Sequence, residues 1–112
     1  MSRIRRSFVS LLLVPAFLAP TLALAADGKA VFLDKKCNKC HSVSSAAIEK
    51  TSKLKGPDLT TEAIKGDAKL LKGYLKKQDM INAKKHGTAF TGTDEELDAV
   101  IAWVLQQNKA KK

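Results

Sequence analysis

A chain of 112 residues with a formal net charge of +9 has room for one small domain and a surface biased towards cations. Such a bias suits nucleic acid, a membrane surface or an acidic protein. Nucleic acid is set aside, because the only arginines are Arg3, Arg5 and Arg6 and the lysines are not interleaved with aromatics.

Those three arginines open a leader-like segment. Phe8 to Ala19 is uncharged and broken only by Ser10 and Pro15, and Ala23-Leu24-Ala25 has the small-x-small pattern of a signal-peptidase site. The apolar run is short against the roughly 20 residues of a membrane span. Residues 1–25 are therefore expected to be a cleaved signal peptide and 26–112 the functional domain, exported to the periplasm and without stable membrane insertion after cleavage. Loss of the three arginines leaves a net charge of +6, carried entirely by lysine. Lysine is a flexible, strongly hydrated point charge suited to loose steering rather than rigid bidentate recognition.

The remaining elements read as helices and loops, with no sustained period-two alternation, so the fold class is all-α. A first helix is expected from Asp27, as N-cap, to Lys36, with Ala30, Leu33 and Cys37 at helical spacing. Residues 42–61, rich in Ser, Thr, Lys and Gly and containing Gly56-Pro57, read as loop. A structureless run of that length is uncommon unless it wraps something. A second helix is expected from Asp67 to Gln78, with Leu70, Leu71, Tyr74 and Leu75 on one face and Gly73 weakening it by up to about 1 kcal/mol. A second loop spans 79–92. The third helix opens on a Thr93/Glu96 capping box and carries Leu97, Val100, Ile101, Val104 and Leu105 as an apolar stripe.

Chemistry concentrates in Cys37-Asn38-Lys39-Cys40-His41. This is the haem attachment signature of c-type haem proteins. Two thiols at i and i+3 suit addition to the two vinyl groups on one porphyrin edge, and the next residue, His41, then falls under the iron. Two other readings stay open. A redox Cys-x-x-Cys prefers a strand-to-helix βαβ setting, and zinc would need four ligands, which Cys37, Cys40, His41 and His86 have the chemistry to supply.

With these residues in view, the chain resembles the monohaem class I cytochromes c over essentially the whole of 26–112. Gly28 to Phe32 is similar to the family's first helix, although Phe32 to Cys37 is one residue longer than usual. Gly56-Pro57-Asp58-Leu59 is similar to its Gly-Pro-x-Leu loop, and the last helix with Trp103 to its C-terminal helix. The resemblance implies a class I cytochrome c fold of three to four short helices wrapped around one covalently bound haem c. It implies that the Pro57 carbonyl accepts a hydrogen bond from His41, an orienting role, and that Gly28 and Phe32 pack against Trp103.

The family usually completes the iron with Met. Met80 is the sole candidate after residue 25, but it lies only two residues past Gln78. His86-Gly87-Thr88-Ala89-Phe90 falls where the family's ligand string would, seventeen positions before Trp103. His86 is accordingly preferred as sixth ligand, with Met80 or an open position as the alternatives. An open position would suit a protein binding a small gas or substrate. The expected function is one-electron transfer rather than enzymatic catalysis, by a monomer. Lys39, Lys53, Lys55, Lys84 and Lys85 would steer redox partners with acidic docking surfaces.

Overall fold

The computed structural model describes residues 15–16 and 26–109. The leader and its cleavage site thus lie outside the described residues, apart from Pro15 and Ala16. Three α-helices follow in order: α1 (Gly28–Asp34), α2 (Ala68–Leu75) and α3 (Asp94–Gln107). Two single-turn 3-10 segments, Cys37–Lys39 and Ser44–Ala46, lie between the first two helices. Among the described residues there is no strand, only isolated bridges between Val43 and Ile48 and between Ile81 and Lys84. The all-α expectation is met.

Each helix begins on a side-chain cap. Asp27 accepts from the Lys29 amide at 3.1 Å and Asp67 from the Leu70 amide at 2.9 Å, so both aspartates stand outside the helices they start. Thr93 and Glu96 form the expected reciprocal box, with both bonds at 3.1 Å. The ends differ from expectation. The first helix stops at Asp34 because Lys36 turns left-handed (φ 57°), and the second stops at Leu75 because Lys77 does so (φ 59°). In each case the reversal aims the chain away from the helix axis.

The core is built where α1 crosses α3. Val31 and Phe32 meet Leu97, Val100 and Ile101, while Val43 and Ile48 are brought in from the first loop. Ala30 and Leu33, which recur at helical spacing, are exposed; the buried face of α1 is Gly28, Val31 and Phe32. These positions follow the i, i+3, i+4 rule from a different starting residue. The Gly28–Phe32–Trp103 crossing is as expected. A Cβ on Gly28 would collide with the Ala99 carbonyl and the Trp103 side chain, and the Phe32 and Trp103 rings lie 5.3 Å apart at 50°. Such tilted aromatic pairs add roughly 0.5–1.5 kcal/mol to the burial itself.

The long first loop is tied down residue by residue. Val43 and Ile48 exchange backbone bonds, and the Leu59 amide donates to Ser42 at 2.9 Å. Asn108, buried just past α3, donates through Nδ2 to the carbonyls of Leu59 and Glu62 at 2.7 and 2.8 Å. The Lys109 amide donates to the Thr60 carbonyl at 2.7 Å. The loop is therefore strapped to the end of α3. Helix α2 is anchored to α3 by Lys72 and Lys76, which pair with Asp94 and Asp98.

Candidate functional site

A cavity of ≈ 680 Å³ opens between the loops and the inner faces of the three helices. Its size falls within the roughly 300–1,000 Å³ typical of cofactor and ligand sites. Phe32, Leu59, Leu71, Leu75, Phe90 and Val100 give it apolar walls, and Cys37, Cys40, His41, Pro57 and His86 all reach its surface. The attachment pentapeptide, the Gly-Pro loop and the second-loop histidine therefore converge on one space.

The left-handed Lys36 starts the 3-10 turn that presents the cysteines. The Cys40 and His41 amides both donate to the Cys37 carbonyl, at 3.2 and 3.0 Å, which stacks the two cysteines and the histidine around one turn. Both cysteines are half-buried at the cavity wall. Burial pushes the Cys37 thiol up, against an opposing hydrogen bond from its own backbone. A redox cysteine pair needs the reverse, a thiolate stabilised near neutral pH. No βαβ setting is present among the described residues, so the thiol-redox reading loses its support. The zinc reading fares no better: among the described residues, no three His, Cys, Asp or Glu side chains converge as a metal cluster.

The His41 ring is locked by the loop above it. Its Nδ1 lies 3.0 Å from the Pro57 carbonyl oxygen. A carbonyl only accepts, so the proton sits on Nδ1 and the lone pair on Nε2. Gly56 makes this approach possible, because a Cβ there would run into the Cys40 carbonyl and come within 3.1 Å of His41 Nδ1. Burial holds the His41 imidazole below its ordinary pKa. The bond to Pro57 partly opposes that, while the nearby His86 and Lys50 add to it. Neutral imidazole is the form a metal ligand requires.

His86 is held in the same chemical sense. Its Nδ1 lies 2.6 Å from the Thr88 carbonyl oxygen, which again leaves Nε2 with the lone pair. The His41 and His86 ring centroids are 6.1 Å apart and their planes are inclined by only 17°. A metal–nitrogen bond of about 2.0 Å and roughly 1.1 Å from nitrogen to ring centre put trans imidazoles about 6.2 Å apart. Two Nε2-free rings at that separation, beside paired thiols in an apolar cavity, fit a covalently held metalloporphyrin.

Met80 is not among the residues lining the cavity and is 57% exposed. Its neighbour Ile81 reaches the wall instead. Of the lysines singled out, Lys55 and Lys84 border the cavity, whereas Lys39, Lys53 and Lys85 are exposed elsewhere. Lys35, Lys36 and Lys65 also border it and were not anticipated. Tyr74 likewise reaches the cavity, edge-to-face with His86 at 5.2 Å and 74°. Helical periodicity put Tyr74 on the inner face of α2, but eleven intervening residues hid its contact with His86.

A family model described as Cytochrome c matches residues 25–108, three-quarters of the chain. No curated protein and no solved structure matches it.

Proposed function

The chain belongs to the cytochrome c family, and from that premise we propose that it is a periplasmic one-electron carrier with a bis-histidine haem. The family carries a covalently bound haem c, which supplies a one-electron Fe(II)/Fe(III) couple. Cys37 and Cys40 would form the thioether links to it, and His41 and His86 would bind its iron from the two sides. The reading rests on one observation: two Nδ1-anchored imidazoles whose centroids stand 6.1 Å apart across the cavity.

The rest of the chain supports transfer without substrate chemistry. Pro57 fixes the His41 ring and, by drawing on its Nδ1 proton, strengthens Nε2 as a donor. His41 and His86, as two strong donors, would hold a bound haem in much the same way in both oxidation states, which favours fast electron transfer. Lysines bordering the cavity steer an acidic partner to its mouth. Replacement of the usual Met by His lowers the reduction potential relative to a His/Met carrier. Residues 1–25 direct export and are removed, which exact mass of the secreted protein tests.

Spectroscopy of ligand variants decides the axial pair. Met80→Leu is expected to leave the ferric low-spin spectrum unchanged, whereas His86→Ala converts it to high-spin or to a spectrum with a different sixth ligand. An unaltered spectrum in His86→Ala, with loss of the signal in the Met80 variant, overturns the assignment.

A further inference from the structure

The hydrogen bonds that orient the two imidazoles have different reach. His41 is oriented by Pro57, sixteen residues away in another loop, so its ring is referenced to the body of the molecule. His86 is oriented by Thr88, two residues away on the same segment. That bond moves with His86. Gly87, between them, has open space around it, and residues 87–89 are exposed. A local bond of this kind selects the tautomer but does not fix the ring plane against the rest of the protein.

Two contacts from α2 and its end reach this segment. One is the Lys77 ammonium, 3.5 Å from the Gly87 carbonyl, an exposed and long contact. The other is the Tyr74 ring, which meets His86 edge-to-face. Tyr74 is half-buried on α2, and α2 is anchored to α3 through Lys72 and Lys76 and to the end of the second loop by the Phe90 amide on the Leu75 carbonyl at 2.7 Å. Tyr74 is thus the contact that ties the His86 imidazole to a fixed frame.

We infer that Tyr74 is the positioning residue of the distal side, its aromatic ring setting the plane of His86 nearly parallel to that of His41. The inference rests on His86 being an axial ligand. The packing needs the ring and not the hydroxyl, since an edge-to-face pair is a quadrupole contact.

The test uses the matured holoprotein with Tyr74→Leu, Tyr74→Met and Tyr74→Phe, each checked for helicity by circular dichroism. Low-temperature EPR reads the angle between imidazole planes through the largest ferric g value, and stopped-flow mixing with exogenous imidazole reads displacement of the distal ligand. Tyr74→Leu is expected to move the largest g value and to speed displacement by roughly two- to tenfold, the worth of an aromatic contact. Tyr74→Phe keeps both as in the parent. Tyr74→Met stands in if the Leu variant does not fold. Parent-like behaviour of the folded non-aromatic variant overturns the inference, as does a Phe variant as altered as the Leu one. His86→Ala separates the two readings: if it keeps the parent spectrum, the axial assignment itself fails, whatever Tyr74 does.

Discussion

At Gly56 a missing side chain decides how the His41 ring is held. The loop passes so close to Cys40 and His41 that even a methyl group would strike the Cys40 carbonyl. Gly56→Ala is therefore expected to push Pro57 off His41 and cost about 1–3 kcal/mol, the usual range for overpacking. A thermal melt reads the stability and the ferric spectrum the disturbed ligand field; an unchanged melt contradicts the steric argument. The residue chemistry of this site was largely legible from sequence, because Cys37, Cys40, His41 and Pro57 sit in short contiguous motifs. Tyr74 was legible only as a core position. Its role depends on how the second loop folds back, and no local pattern of residues encodes that.

Element boundaries follow from capping, and the two ends of each helix were unequally readable. Asp67 and the Thr93/Glu96 box announce helix starts through side-chain chemistry. The stops of α1 and α2 rely on left-handed lysines, Lys36 and Lys77, where glycine would have been the visible signal. Thr93→Ala is expected to cost about 1 kcal/mol by chemical denaturation. Glu96 adds a pH dependence: its bonds to the Thr93 amide and then to Lys35 hold its pKa below the ordinary glutamate range. The associated stability is complete above the unfolded-state pKa and is lost as pH falls through the lowered folded-state value. Glu96→Gln should flatten the stability–pH curve in that acid window; an identical curve in both proteins removes the role given to Glu96. At the far end of α3, Asn108→Ala strips the Leu59 and Glu62 carbonyls of their shared donor. The expected loss is about 1–3 kcal/mol. Amide hydrogen exchange should rise first in the loop at residues 59–62, and exchange spread evenly over α3 instead would place the strain elsewhere.

Across the whole molecule, the apolar side chains divide between a small core at the α1–α3 crossing and the walls of the cavity. A domain of this size has little stability to spare, so filling the cavity is a large share of its cohesion. The double variant Cys37→Ala/Cys40→Ala is expected to lose thermal stability and helical signal relative to the matured protein; equal melting points would show that the helices stand without the cofactor. Long-range charge acts at the same scale. Every cation after residue 25 is lysine and five of them border the cavity mouth. Electron exchange with an acidic partner should slow steeply as salt shortens the screening length below about 8–10 Å, and rates indifferent to ionic strength would discard the steering role.

The unequal span of the two imidazole anchors carries a last consequence, for partial unfolding. Heat or denaturant that loosens residues 42–62 separates His41 from Pro57 and leaves its tautomer free to scramble. His86 and Thr88 are near neighbours on one short peptide, so their contact does not depend on the first loop being in place. The His41 contact thus reports whether the first loop is seated over the attachment turn, whereas the His86 contact reports only on the fold of its own short segment.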